Sequence, residues 1–163
     1  MSKSVPSIVH IKNDWLYHHI DVAFPTKESL KGKELYKRWV ESRSYEVYNQ
    51  STLKADVEEI HLVDFHRLTV MFALLQAKRW KSENDQALIV EFLTQIIFSE
   101  PCSLYMGFHS NEPVAAAIVT RSGNDMLISD LVSPCSDTSA FASNLISYFK
   151  AEGETPEHVY VEC

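Results

Sequence analysis

The sequence predicts an α+β domain, with a mixed, mostly antiparallel, twisted sheet flanked by helices and an N-terminal β/α extension. Short runs rich in β-branched and aromatic residues are separated by longer stretches in which apolar residues recur every three or four positions. Three β segments between residues 103 and 132 follow one another after short turns, which is typical of an antiparallel meander. With 163 residues, of which 45% are hydrophobic, the chain can form one domain with its own core.

The N-terminal extension, residues 1–54, is predicted to contain a strand and a helix. Residues 8–11 and 15–24 are rich in β-branched and aromatic side chains, so we expect one or two strands there. A helix is expected from Thr26 onward, because apolar residues then recur at helical spacing. These apolar residues are Leu30, Leu35, Trp39 and Val40. We expect the extension to pack on the main domain, residues 55–163, or to complete it.

The main domain is predicted to follow the order β-α-α-β-β-β-α-β. Its expected strands cover residues 57–63, 103–109, 114–120, 126–132 and 158–162. Its expected helices cover residues 64–81, 82–100 and about 139–150. Asp64 is expected to cap the first of these helices, and Ser82 or Asn84 the second.

The segment from Asp125 to Lys150 is the centre of the predicted domain. An apolar strand ends there at Ser133-Pro134, because proline cannot donate to a β ladder. Residues 136–139 then offer several N-caps for the helix that follows. Free backbone N–H groups at a helix start can bind an anion. The segment is therefore either an anion site or an ordinary strand-to-helix junction.

Charge and composition exclude several classes of function. Residues 1–54 carry 9 Lys and Arg against 6 Asp and Glu, whereas residues 55–163 carry 6 against 16. This acidity argues against nucleic-acid binding, which depends on contacts to phosphates. No apolar run reaches the roughly 20 residues that a membrane helix needs, so no membrane association is expected.

Cysteine and histidine spacing leads to two further expectations. The three cysteines show no CxxC spacing, so we expect free thiols and a reducing, cytoplasmic environment. The pairs His18–His19 and His61–His66 lack the third and fourth ligands of a metal site. No metal is therefore expected.

Three segments of the main domain resemble the GNAT superfamily of acyl-CoA N-acyltransferases, which has the predicted order of elements. The first strand and first helix of that family are similar to residues 58–68, EEIHLVDFHRL. A turn and strand of the form D-G-x-P-V-G-x-x resemble residues 110–119, SNEPVAAAIV. The V-x-P that ends the family's fourth strand resembles residues 131–134, LVSP.

The resemblance implies a site for acetyl-CoA or another acyl-CoA. Backbone amides of Leu131, Val132 and Ser133 would contact the thioester and the pantetheine arm. The pyrophosphate motif of the family, R/Q-x-x-G-x-G/A, falls on Asp137, Thr138, Ser139, Ala140, Phe141 and Ala142. Asp137 places a carboxylate where the motif has Arg or Gln. Either this acid weakens CoA binding, or it turns away and caps the helix, or the site no longer takes CoA.

The resemblance also implies the transfer of an acyl group, such as acetyl, to an amine of a small molecule or peptide. The amine must lose a proton, and Asp130 and Glu59 are candidate bases by position, with Tyr160 as a candidate acid. The usual C-terminal helix and strands of the family have no match before the chain stops at Cys163. The alternative is a GNAT-like binding or assembly module without catalysis. In both cases we expect the extension, or a second copy in a homodimer, to cover the open sheet edge.

Overall fold

The computed structural model describes residues 5–20, 25–48, 53–134, 137 and 139–163. The helices of these residues are α1 (Ser7–His18), α2 (Lys27–Glu41), α3 (His66–Ala77), α4 (Glu83–Leu93) and α5 (Ser139–Ala151). The strands are β1 (Tyr45–Val47), β2 (Glu59–Leu62), β3 (Cys102–His109), β4 (Glu112–Ser122), β5 (Asp125–Val132) and β6 (His158–Glu162). The predicted order β-α-α-β-β-β-α-β is present from β2 to β6.

The strands form one six-stranded sheet in the order β1-β6-β5-β4-β3-β2. Every neighbouring pair is antiparallel except β5 and β6, which are parallel. The α+β class and the mixed, mostly antiparallel sheet are therefore confirmed. Strand β1 comes from the N-terminal extension and pairs with β6, so the extension continues the sheet beyond the strands of the main domain.

The prediction of strands over residues 8–11 and 15–24 is wrong where the structure describes them, because Ser7–His18 forms helix α1. The buried positions of α1 are spaced as one helical face, and they are Ile8, Val9, Lys12, Trp15 and Leu16. Lys12 interrupts the apolar pattern if it is counted as a surface residue, and this concealed the helical period. Residues 21–24 lie outside the described part of the chain.

Helix starts agree with the sequence at two places and disagree at one. Thr26 caps α2 and Ser82 caps α4, each by accepting a hydrogen bond from the backbone N–H three residues later. Asp64 does not cap α3, contrary to the prediction. Phe65 is the N-cap residue there, with an extended backbone and no capping side-chain bond. Helix α4 also ends at Leu93, earlier than the predicted residue 100.

The helices bury both faces of the sheet. Consecutive residues of β4 belong to different cores, since Ile118 packs with α3 and α4 while Val119 packs with α5. Neighbouring side chains of a strand point to opposite faces, so α3 and α4 cover one face and α5 covers the other. Helix α1 lies on the first face, where Trp15 and Leu16 join the core of α3 and α4.

A β-bulge in β5 interrupts the pairing of the central strands. Ala116 pairs with Val132 and Ile118 pairs with Ser129, so two residues of β5 stand opposite the single residue Ala117 of β4. The two bulged residues are Asp130 and Leu131. Asp130 has a φ of +54°, which is uncommon outside glycine. The paired register of β5 with β6 ends at Ile128, just before the bulge.

Candidate functional site

The bulge carries a buried ion pair between Asp130 and Lys12 of α1. The Lys12 Nζ lies 3.3 Å from Asp130 Oδ1, and the side chains are 0% and 2% exposed. Burying two charges is costly, and the pair persists only where further hydrogen bonds satisfy the remaining polar atoms. The side chains of Tyr36 and Ser129 supply such hydrogen bonds.

Tyr36 and Ser129 complete the shell of the Asp130 carboxylate. Lys12 Nζ donates to the Tyr36 hydroxyl at 2.6 Å, and that hydroxyl donates to Asp130 Oδ2 at 2.5 Å. Ser129 Oγ donates to Asp130 Oδ1 at 2.7 Å. Burial raises the pKa of Asp130, but the charges of Lys12 and Arg79 and the Tyr36 bond outweigh it and hold the pKa below its usual value. The carboxylate is thus ionised, inaccessible and a weak base.

Side chains also occupy the backbone groups of the bulge. The N–H of Asp130 donates to Glu162 Oε1 at 2.9 Å, from the end of β6. Gln76 Nε2 donates to the carbonyl of Asp130 at 2.6 Å, and Arg79 Nη2 donates to the carbonyl of Leu131 at 2.6 Å. Arg79 also donates to the Gln76 side chain. The unusual backbone of the bulge is therefore held from β6 and from the C-terminal end of α3.

Glu162 is the second buried acid of the cluster. Its Oε2 accepts a hydrogen bond from the Tyr45 hydroxyl of β1 at 3.2 Å. Burial, followed by the negative charge of Asp130, raises the pKa of Glu162 above its ordinary value. The pKa of Asp130 is thus lowered and that of Glu162 is raised. We call Lys12, Tyr36, Arg79, Asp130 and Glu162 the bulge cluster.

Replacing Glu162 with glutamine is expected to stabilise the fold at neutral pH. The folded-state pKa of Glu162 lies above the unfolded value, so stability is lost as pH rises through the folded pKa. Glutamine removes this loss while its amide oxygen can still accept the Asp130 N–H. Thermal unfolding between about pH 4 and pH 8 should show a gain that grows with pH. Exposed Glu46 of β1 is the matched control, and a gain independent of pH would contradict the assignment.

The start of α5 is occupied by Asp137. Its Oδ1 accepts from the Ser139 N–H at 3.0 Å and from Ser139 Oγ at 2.6 Å, and its carbonyl accepts from the Ala140 N–H at 3.1 Å. Asp137 thus accepts at the start of α5 in the manner of a helix cap. The side chains of Ala140, Phe141 and Ala142 are buried in the core under α5. Thr138 lies outside the described residues.

The structure separates the three predicted catalytic residues. Glu59 is exposed on β2 and pairs with His61 at 2.9 Å. Two strands lie between β2 and β5, so Glu59 is more than about 14 Å from the bulge. Tyr160 lies opposite Leu127 on β6 and packs with Ile8 and Val9 of α1.

The predicted pantetheine residues lie at the end of β5. Leu131 is buried, whereas Val132 and Ser133 are half-buried. They sit between the bulge and the segment that leads to α5. The amide of the neighbouring Asp130 is already bound by Glu162.

Sequence reasoning missed most of the bulge cluster. It singled out Asp130 as a site residue but not Lys12, Tyr36, Arg79 or Glu162. These lie on α1, on α2, just after α3 and on β6, and they meet only in the folded chain. One usable signal was present, since Lys12 occupies an apolar helical face and Asp130 interrupts the apolar strand MLISDLV. An unpaired charge in either place would be strongly unfavourable, so each needed a partner.

No protein-family model matches the sequence, and no curated protein matches it. Among solved structures, the fold is similar to that of a functionally unknown conserved protein from Staphylococcus epidermidis ATCC 12228, with a TM-score of 0.51 and 11% sequence identity. The match covers 79% of this chain and 55% of that one, so this chain spans about half the relative's length. At this identity the likeness concerns the fold alone, and the GNAT resemblance stays a prediction.

The described residues also show features that bear on membranes and metal ions. No helix among them combines the length and apolar character needed to cross a membrane. Within the same residues, no group of at least three His, Cys, Asp or Glu side chains converges as a metal site requires.

Proposed function

We propose that this chain is a GNAT-like binding or assembly module that does not transfer acyl groups. One observation carries the proposal. The amide and carboxylate of Asp130 at the bulge, and the first amides of α5, are engaged by other residues of the chain.

Acyl transfer needs a hydrogen-bond donor for the oxygen of the thioester as negative charge develops on it. The amide of the bulged residue Asp130 directly precedes the predicted pantetheine segment, and it is bound to Glu162 at 2.9 Å. The base must also reach the amine of the acceptor. The Asp130 carboxylate is buried against Lys12 and Tyr36, with a lowered pKa, and cannot serve in this state.

Diphosphate binding at α5 meets the same difficulty. The N–H groups of Ser139 and Ala140 already donate to Asp137. A diphosphate at these amides would also lie beside the Asp137 carboxylate, and two like charges about 4 Å apart repel by on the order of 1 kcal/mol or more. The contacts therefore favour a helix cap over a cofactor site.

A GNAT-like acyltransferase, acting from acyl-CoA on an amine, is the second candidate. The arrangement of β5 and β6 favours it. The paired register of these parallel strands ends at Ile128, just before the bulge. Ligands of open sheets commonly bind outside the carboxyl ends of parallel strands. In this candidate, acyl-CoA would have to displace Glu162 from the Asp130 amide.

Calorimetric titration with acetyl-CoA and with CoA, together with a thiol-release assay on mixed primary amines, separates the two candidates. The module should give no heat of binding at millimolar ligand and no release of CoA above the rate without protein. Micromolar binding with turnover would overturn the proposal and establish the acyltransferase.

Asp137→Arg supplies an independent check at α5. The change removes the acceptor of the Ser139 amide, so we expect stability to fall by about 1 kcal/mol, as for loss of a helix cap. Asp137→Asn is the control, because its side-chain oxygen can still accept that bond. For the module, neither variant should bind CoA. If Asp137→Arg instead tightens CoA binding severalfold, the diphosphate lies at this turn. That result would support the acyltransferase over the binding module.

A further inference from the structure

Strand β2 forms one end of the sheet, and its outer side is paired with no strand in the described ranges. Its residues Glu59, His61 and Leu62 are exposed, while Ile60 is half-buried against the core under α5. An open edge presents unpaired N–H and C=O groups that can pair with another strand. The N–H of Val63 also donates to the Leu104 carbonyl of β3 at 2.8 Å, so this edge continues one residue past Leu62.

Large apolar side chains lie beside this edge. The edge patch consists of Leu62, Phe65, Ile97 and Phe98, each at least 43% exposed. Leu62 and Phe98 line the same cavity of about 370 Å³, and Phe65 and Ile97 are close to them in sequence. A concentration of exposed apolar residues next to an unpaired strand is typical of a protein interaction site.

The polar side chains of β2 favour one kind of partner strand. Glu59 and His61 are two residues apart, so they lie on the same face of the strand, and their side chains are 2.9 Å apart. In an antiparallel pair of two β2 strands centred on Ile60, Glu59 of each copy stands directly opposite His61 of the other. A carboxylate and an imidazole N–H in such cross-strand positions can hydrogen-bond and so stabilise pairing. The two Ile60 side chains then face each other at the centre.

The other edge of the sheet lacks this self-complementarity. Strand β1 has three residues with Glu46 in the middle. A two-fold pairing centred there would place two carboxylates opposite each other, which is unfavourable. We propose that a second copy of this chain docks on β2, antiparallel and two-fold about Ile60, so that one sheet continues through both copies. The proposal rests on the assembly role proposed above and names its partner.

Sedimentation equilibrium of the full chain tests the interface with three variants. His61→Glu puts four carboxylates in the central cross-strand positions, and we expect the dimer dissociation constant to rise about tenfold or more. The exchanged variant, Glu59→His with His61→Glu, restores the carboxylate–imidazole pairs only in this register. Its dissociation constant should return to within about threefold of the original.

His158→Glu is the matched control, since His158 forms a similar exposed pair with Asp125 at 2.9 Å but lies on β6. It should leave self-association unchanged, and thermal unfolding should confirm that all variants are folded. A chain that stays monomeric at the highest attainable concentration would overturn the interface. Equal weakening by His158→Glu, or failure of the exchange to restore pairing, would do the same. None of these outcomes depends on CoA, so a failed interface and a failed assignment of the module are distinguishable.

Discussion

Replacing Lys12 with methionine is expected to lower the free energy of unfolding by about 3–5 kcal/mol, the usual cost of removing one partner of a buried ion pair. Methionine keeps much of the side-chain volume but removes the charge. The Asp130 carboxylate then remains buried with Tyr36 and Ser129 as donors and without its nearest cation, 3.3 Å away in the native chain. The Tyr36 hydroxyl also loses the hydrogen bond that Lys12 donates to it.

Denaturant unfolding measures this loss, with Lys31→Met on the exposed side of α2 as the control for the same chemical change. The double variant Lys12→Met with Asp130→Asn should recover a large part of the stability, because asparagine carries no charge and tolerates the positive φ at this position. Its amide oxygen can still accept from Tyr36. If Lys12→Met lowers the free energy of unfolding no more than Lys31→Met does, the ion pair does not stabilise the bulge.

Gly32→Ala should destabilise the packing of α2 on α4 by roughly 1–3 kcal/mol, the range for overpacking in a dense core. A Cβ at Gly32 would overlap the carbonyl oxygen of Leu88 and lie 2.8 Å from the Cβ of Phe92. Backbone cannot move aside as a flexible side chain can, so the two helices must separate. The better helix propensity of alanine offsets only about 1 kcal/mol of this cost.

Gly123→Ala separates packing from backbone strain. Gly123 has a φ of +59°, and an added Cβ there meets no atom within 4 Å. Its substitution therefore reports strain alone, about 1–2 kcal/mol. Loss of contact between α2 and α4 should also expose Phe92, so Gly32→Ala should bind a hydrophobic dye more strongly than Gly123→Ala. Equal dye binding by both variants would contradict the close helix contact.

Local patterns were sufficient for most of the architecture. Helical spacing predicted α2, α4 and α5, and two short turns predicted the meander of β3, β4 and β5. These elements depend on neighbours in sequence, whose hydrophobic period and turn chemistry can be read directly. The same reasoning placed strands over residues 8–11 and 15–24, because it relied on their β-branched and aromatic content and missed the helical period of α1.

The sequence alone determined the α+β class, the order of elements in the main domain and the acidic character that argues against nucleic-acid binding. Only the tertiary structure decided that Lys12, Asp130 and Glu162 share one buried cluster, since 118 positions separate the first two and no local pattern joins them. It also showed that Asp137 accepts a hydrogen bond from the Ser139 N–H. The sequence could not show this, because a carboxylate near a helix start is compatible with a cap and with a ligand site. Long-range electrostatic pairing depends on which elements pack together, and packing follows from the whole chain.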